Sequence, residues 1–283
     1  MQLINERYTG RATVNQSFNF LKQRWFAILA TGLILFFISE QILKSTNNPN
    51  LVPTVILLGA LSIPAAFVAF FYKYERKQDK VEHTKPPFEA MTLCFVVGGL
   101  VGTMAAGFLE YQFIHKASIS SLFLVSVIEE TAKMVFPVIL YIFASYKSES
   151  DGLLFGVASG MGFAALETMG YGFTALMSSQ GNVGALEQTL LFRGLLSPLG
   201  HAAWTGIVCA ALWYGRQKTG KLFNFNFILP FIVVIVLHAL WDIASLPASI
   251  AVTYLGYVFI GGFSLTLLIL RLRQSQRRIK AIT

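Results

Sequence analysis

Two adjacent glutamates and a lysine, Glu129, Glu130 and Lys133, lie in the middle of an apolar stretch of this chain, Ser118–Tyr146. The stretch is long enough to cross a bilayer as a helix. A charged side chain near the centre of a hydrocarbon layer about 30 Å thick costs at least a few kcal/mol. The three groups must therefore face a protein interior or a wet cavity, and ionisable residues at that depth indicate a functional site.

Four further ionisable residues lie in the apolar stretches that follow: Glu167, His201, His238 and Asp242. His238 and Asp242 are four residues apart and share one face of a helix, as do Glu167 and Tyr171. A single group of this kind is compatible with a role in helix packing alone. Seven of them in four consecutive helices predict a shared polar cavity.

The residue types in this set are those of a hydrolase. Neighbouring carboxylates in a low dielectric do not both ionise easily, and Lys133 would hold one of them charged, so the pair can take a proton from water. His201 and His238 can bind a metal, or donate to the oxyanion that forms when water attacks an amide. Asp242 can orient the His238 ring. The sequence has no HExxH motif and no serine in a GxSxG context.

The amino-acid composition predicts the class of protein in which these residues lie. Hydrophobic residues make up 55% of the 283, charged residues only 13%, and the mean hydropathy is +0.61, which indicates an all-α polytopic membrane protein. Each predicted span has about the 20 apolar residues that a bilayer requires. We predict eight spans, at 25–43, 52–72, 90–109, 118–146, 152–177, 194–214, 226–245 and 250–270.

These spans predict three parts of the chain. They are a cytoplasmic N-terminal segment at 1–24, a single transmembrane domain at 25–270 with its catalytic helices at about 118–245, and a basic cytoplasmic tail at 271–283. The spacing of Gly152, Gly156 and Gly160 predicts a seam of close helix packing.

The net charge of +8 is explained by membrane topology rather than by nucleic-acid binding. Eighteen of the 22 basic residues fall in one set of loops and termini. The opposite set holds only Lys44, Lys116 and Arg193, and Lys133 lies in the membrane. The positive-inside rule therefore predicts a multi-pass protein of the cell membrane with both termini in the cytoplasm. We expect the lipid bilayer and a membrane protein as partners, and no nucleic acid.

Four motifs occur in a fixed order along the chain. They are Glu129-Glu130-Thr-Ala-Lys133, then GMGFAALETMGY at Gly160–Tyr171, then His201-Ala-Ala-Trp204-Thr205, then His238-Ala-Leu-Trp241-Asp242. In this order they resemble the PrsW family of intramembrane proteases, which is related to the type II CAAX prenyl endopeptidases. The family's EExxK motif maps onto the first, and its histidines map onto His201 and His238. Glu167 is followed here by Thr168, where the family usually has asparagine.

The resemblance implies an intramembrane endopeptidase that cuts a membrane-anchored protein such as an anti-sigma factor. On this hypothesis Glu129 and Glu130 activate the hydrolytic water and Lys133 tunes their charge. Glu167 and His201 complete the water or metal site, and His238, oriented by Asp242, stabilises the oxyanion.

The resemblance leaves the cofactor open, with zinc as the candidate metal and Glu167, His201 and His238 as its candidate ligands. The family is often classed as metallopeptidases, whereas the related prenyl endopeptidases resemble metal-independent, glutamate-based enzymes. We favour the metal-independent mechanism, because no metal-binding spacing occurs within any one helix.

The alternative function is a proton-coupled transporter or channel in which the same carboxylates relay protons. Secondary transporters usually contain paired repeats with interrupted helices, and neither is visible in this sequence. A catalytically silent scaffold is a third alternative. It gives no reason to keep so many costly ionisable groups within the membrane.

The charge asymmetry makes a direct prediction about topology. Cysteines introduced at Lys80 and Lys218 should react with an impermeant thiol reagent only when the cytoplasmic face is opened, because these residues belong to the basic set of loops. A cysteine at Lys116 should react from outside intact cells and serves as the control. Labelling of the first two positions from outside would contradict the predicted orientation.

Overall fold

The computed structural model describes residues 23–78, 86–116, 118–246 and 249–282, which are helical almost throughout and contain no strand. The prediction of an all-α fold is therefore confirmed. Two π-helical segments interrupt the regular helices: Cys94–Gly98 lies within α3, and Pro198–Ala202 joins α6 to α7. The helices are α1 (Arg24–Thr46), α2 (Val52–Gln78), α3 (Phe88–Phe113), α4 (Ile119–Phe143), α5 (Glu149–Ser178), α6 (Val183–Leu196), α7 (Ala203–Thr219), α8 (Phe225–Ser245) and α9 (Ile250–Ile282).

Seven helical segments in the described part of the chain are long and apolar enough to cross a membrane. They are α1, α2, α3, α5, α8 and α9, together with the continuous segment Val183–Thr219 that contains α6 and α7. Helix α4 has a similar length of 25 residues but carries Glu129, Glu130 and Lys133 near its centre. Each of the eight predicted spans falls on one of these eight segments, so the chain is a multi-pass membrane protein.

The sixth predicted span, 194–214, begins earlier in the structure, at Val183. Asn182 caps this end, because its side-chain oxygen accepts hydrogen bonds from two backbone N–H groups of the first turn. Leu186 and Leu190, four residues apart, are both buried in one cluster with residues of α1 and α2. The added turns of α6 therefore pack inside the bundle.

Helix α5 lies at the centre of the bundle and packs against α2, α3, α4, α6 and α7. The predicted glycine seam is on its first half and lies against α7 and the second π-helical segment. A Cβ atom at Gly156 would meet the backbone oxygen of Thr205, and one at Gly160 would meet the backbone oxygen of His201. Without these two side chains the helix backbones approach closely, as expected for packing between helices in lipid.

One end of the bundle gathers the first and the last described helices. The ring of Trp25, at the start of α1, lies 5.6 Å from that of Phe70 near the end of α2. Gln276 of α9 donates a hydrogen bond of 2.9 Å to Glu75, which is also in the last turns of α2. The start of α1 and the end of α9 therefore lie on the same side of the protein.

The residues predicted as a basic tail, 271–283, continue α9 as far as Ile282. Arg271 and Arg278 both pair with Glu149 at the start of α5, at 2.8 Å and 2.6 Å. The predicted N-terminal segment, 1–24, lies outside the described residues except for its last two positions.

The glycine seam predicts that two Gly→Ala substitutions in the same helix differ in their effect on stability. Gly156→Ala should lower the free energy of unfolding by about 1–3 kcal/mol, because its Cβ would overpack against the α7 backbone. Gly170→Ala is the matched control in α5, since its Cβ would meet nothing within 4 Å. Thermal unfolding of both variants in detergent measures the difference. Equal stability of the two variants would contradict the seam.

Candidate active site

Helix α4 supplies a buried cluster of three charges. The Lys133 ammonium donates to Glu129 Oε2 at 3.0 Å and to Glu130 Oε1 at 2.8 Å. It reaches both carboxylates because helical side chains lean towards the N-terminus, and residues three and four positions apart lie on one face. Lys133 and Glu130 are fully buried, whereas the Glu129 side chain is 10% exposed. Glu129 is therefore the carboxylate of the pair that is open to a ligand or to water.

Glu130 binds partners on two other helices as well. Its Oε1 lies 2.9 Å from Nδ1 of His238 on α8, and its Oε2 accepts a hydrogen bond of 3.4 Å from the Thr205 hydroxyl on α7. Both oxygens are thus occupied by groups of the protein. Glu130 joins α4, α7 and α8 at the level of the site.

The His238 ring is held on its face and at one nitrogen. Trp204 stacks on it with ring centres 4.6 Å apart and planes inclined by 21°. Trp204 is itself fixed, since its indole N–H donates to the Ser264 hydroxyl on α9 at 2.9 Å. Because Nδ1 of His238 contacts Glu130, only its Nε2 faces the other nearby carboxylates, those of Glu129 and Asp242.

Asp242 lies on the same side of His238 as predicted, but beyond hydrogen-bond distance. Its Oδ2 is 3.7 Å from His238 Nε2, and Glu129 Oε2 is also 3.7 Å from that nitrogen. The hydrogen bond that fixes the ring is the one with Glu130. Asp242 contributes negative charge beside Nε2.

The second histidine, His201, is positioned by the π-helical segment Pro198–Ala202. Pro198 has no backbone N–H and its ring disfavours a regular helix, and π-helical turns of this kind are frequent at functional sites. The absent side chain of Gly160 lets this segment approach α5 closely. His201 Nε2 consequently lies 3.2 Å from Oε2 of Glu167, which is seven residues after Gly160 on α5.

Arg193 is a site residue that the sequence prediction missed. Its guanidinium pairs with Glu167 Oε1 at 2.8 Å and lies 3.8 Å from the centre of the Tyr171 ring. Its predicted place in an outer loop is wrong, because α6 brings it into the bundle beside α5. The four-residue spacing of Leu186 and Leu190 was the available signal for that helix.

Three groups of metal-ligand type converge between α4, α5 and the π-helical segment. Ligand atoms of Glu129, Glu167 and His201 all lie within 4.8 Å of one another. Among the described residues, the buried His201 Nδ1 has no hydrogen-bond partner, and the buried Glu167 Oε2 has only its contact with His201 Nε2 at 3.2 Å. Two of the three predicted metal candidates, Glu167 and His201, thus lie in this group, while Nδ1 of His238 contacts Glu130.

The structure brings all seven predicted site residues into one connected polar group. A cavity of about 170 Å³ adjoins this group, and His201 and Arg193 form part of its wall. The arrangement of charged and ligand-type residues inside a helical membrane bundle is that of an intramembrane hydrolase.

Comparison with known families agrees with this class. The model of the PrsW family intramembrane metalloproteases matches residues 86–269, and the chain belongs to that family. It is therefore an intramembrane protease, and the resemblance seen in the four sequence motifs is confirmed. Neither the curated proteins nor the solved structures contain a significant match.

The unequal burial of the two adjacent glutamates predicts unequal effects on stability. Glu130→Gln should destabilise the protein by about 3–5 kcal/mol, since it removes a buried charge bound to Lys133 and His238. Glu129→Gln should cost clearly less, because this side chain is partly exposed. Thermal unfolding in detergent compares the two variants. If Glu129→Gln is the less stable, the structural role assigned to Glu130 is wrong.

Proposed function

We propose that this chain is a metal-dependent intramembrane endopeptidase whose hydrolytic centre consists of Glu129, Glu167 and His201. The observation that carries the proposal is that these three ligand-type residues, from three separate helical segments, converge within 4.8 Å beside a cavity. The substrate is a membrane-anchored protein of the anti-sigma-factor type that the family resemblance suggests.

Glu129 is the residue we assign to water activation. It is the less deeply buried member of the α4 pair, and Lys133 holds its Oε2, which fixes the position of the carboxylate. A water held between Glu129 and His201 would attack the carbonyl carbon of the peptide as its proton passes to the Glu129 oxygen that does not bind the metal. The C–N bond then breaks, and Glu129 returns this proton to the leaving nitrogen.

His238 is the residue we assign to oxyanion stabilisation. In its protonated form it would donate through Nδ1 to Glu130 and through Nε2 towards the hydrolytic centre. The Trp204 ring packed on its face limits its movement, so this donor is oriented before the substrate binds. Asp242 and Glu129 each place a carboxylate oxygen 3.7 Å from Nε2.

The residues present fit the metal that the family description implies. Carboxylate oxygens and imidazole nitrogens are both zinc ligands, and a catalytic zinc with three protein ligands keeps a further position for water. The buried His201 Nδ1, which has no hydrogen-bond partner within the described residues, fits the role of a metal ligand. Bound there, a divalent ion would activate the water and polarise the scissile carbonyl.

The structure also removes the reason for favouring a metal-independent mechanism. That preference rested on the lack of metal-binding spacing within one helix, whereas Glu129, Glu167 and His201 come from separate segments. Arg193 supports the ligand set by holding the other oxygen of Glu167. The transporter alternative has no comparable support, since the family is one of proteases.

We also propose that the site opens to the extracytoplasmic side of the cell membrane. Trp241 lies one turn before the end of α8, and Tyr257 lies two turns after the start of α9, so the cavity they line is near the α8–α9 connection. That end is opposite the one where α1 starts and α9 ends. With cytoplasmic termini, as the basic loops favour, the enzyme would cut the external juxtamembrane part of its substrate.

The proposed centre predicts paired effects on metal content and cleavage. The purified protein should carry about one zinc per chain, and His201→Ala should lose both the metal and cleavage of a single-span reporter protein in liposomes. Glu129→Gln should slow cleavage by about 10²–10⁴-fold, since an amide cannot accept the water proton. Elemental analysis and a gel assay give the two readouts.

His115→Ala and Glu89→Gln are the controls, because both residues are exposed and outside the centre. They should keep wild-type metal content and activity. Full cleavage by protein stripped of metal would overturn the metal site but leave the glutamate mechanism. Normal cleavage by Glu129→Gln would overturn the assignment of the base.

A further inference from the structure

The cavity beside the hydrolytic centre has a specific location and size. His201 belongs both to the centre and to the cavity wall, so anything bound in the cavity lies next to the reacting atoms. The volume is about 170 Å³. Cavities of about 150 Å³ lined by apolar side chains bind benzene. The space therefore accommodates one large side chain and is too small for a helical turn of substrate.

The cavity wall has a polar part and an aromatic part. Leu196 of α6 and Gly200 of the π-helical segment line the aromatic part together with four aromatic rings. Those rings belong to Phe192, Trp204, Trp241 and Tyr257, which lie on α6, α7, α8 and α9. A wall of this composition favours an apolar or aromatic group over a charged one.

The aromatic walls hold one another in place. The Trp241 and Tyr257 rings are 4.3 Å apart, and the Trp204 and Trp241 rings meet edge to face at 5.9 Å. The hydrogen bond from Trp204 to Ser264 fixes the third ring. The cavity is therefore largely formed before any ligand binds, which is typical of a specificity pocket.

The wall nearest the hydrolytic centre is polar. Arg193 and His201 lie there, and the buried Nε of Arg193 and Nδ1 of His201 have no hydrogen-bond partner in the described part of the chain. The Nε of Arg193 can interact with polar groups of a peptide backbone, while His201 belongs to the proposed metal site. A substrate chain passing this wall would keep its backbone at the polar side and direct one side chain into the aromatic part.

We propose that this cavity is the subsite for the residue next to the scissile bond, that it selects a large apolar or aromatic side chain, and that Leu196 sets its size. The proposal rests on the endopeptidase function proposed above. Leu196 is partly buried and belongs to the wall, whereas its neighbour Leu195 is 67% exposed and outside the cavity. The two leucines therefore form a matched pair for testing the pocket.

The test uses the full-length protein in liposomes and a single-span reporter whose cleavage site is first mapped by mass spectrometry. Each residue flanking the cut bond is then replaced in turn by Ala, Leu, Phe, Trp or Asp. At one of these two positions the wild-type enzyme should prefer Phe or Leu over Ala by about 10–200-fold in kcat/KM, the range usual for apolar pockets. It should discriminate against Asp at the same position.

Leu196→Trp should fill the pocket and lower the Phe-to-Ala ratio of kcat/KM at that position by about tenfold or more. Leu196→Ala should enlarge it and shift the preference towards Trp, and it supplies a second variant if Leu196→Trp folds poorly. Leu195→Trp should leave the wild-type ratio unchanged, because that side chain points away from the cavity.

The outcomes separate the subsite from the function on which it rests. Cleavage that depends on Glu129 but has no size preference at either flanking position overturns the subsite and leaves the protease function standing. Equal effects of Leu195→Trp and Leu196→Trp on the ratio, or a preference for Asp, also overturn it. If the wild type and Glu129→Gln cut the reporter equally, the proposed function itself is overturned. The same holds if neither of them cuts it.

Discussion

The arrangement of this protein depends on one buried ammonium group. Lys133 lies inside a membrane bundle, where an unpaired charge is very costly, and it is stabilised by two carboxylates one helical turn away. Two carboxylates and one ammonium leave a net negative charge. Glu130 is further stabilised by Thr205 and His238, so the helices that carry these residues must pack at this level.

Because the partners of Glu130 occupy both of its oxygens, Glu129 is the member of the pair that we propose to be reactive. The two residues are adjacent, so they point about 100° apart around α4. One carboxylate therefore binds the structural partners on α7 and α8, and the other lies near Glu167 of α5 and His201. The same lysine that makes burial of the pair tolerable also holds the exposed carboxylate in place. Stability and chemistry are thus divided between two neighbouring residues.

The glycines of α5 supply the second constraint. Gly156 and Gly160 allow α7 and the π-helical segment to contact the α5 backbone. This contact carries His201 to Glu167 and places both beside Glu129. A small side chain at Gly160 would displace the histidine-bearing segment, although no glycine takes part in the chemistry.

The sequence predicted the features that local rules determine. Long apolar stretches revealed the spans, and the spacing of Glu129, Glu130 and Lys133 revealed an ion cluster on one helical face. The four ordered motifs indicated the family. These features depend on hydrophobicity and helical periodicity, which can be seen within a single segment.

The features that were missed depend on contacts between segments. Arg193 lies in α6 and not in the predicted outer loop, because this helix begins at Val183, before the apolar stretch of the predicted span. The hydrogen bond from His238 to Glu130, rather than to Asp242 on its own helix, follows from how α8 packs on α4. The spacing of residues within one helix likewise cannot predict a metal site whose ligands, Glu129, Glu167 and His201, come from three segments. The position of Arg193, the partner of His238 and the ligand set all depend on how distant segments pack together. A pattern within one segment of the sequence does not contain this information.

We propose that Glu129, Glu167 and His201 form one metal-binding hydrolytic centre. The most direct measurement is an experimental structure of the zinc-loaded protein with anomalous scattering recorded at the zinc edge. We predict one strong peak at about 2.0–2.2 Å from an oxygen of each carboxylate and from a nitrogen of His201. A peak bound by His238 instead, or a zinc site remote from Glu129, would contradict the claim.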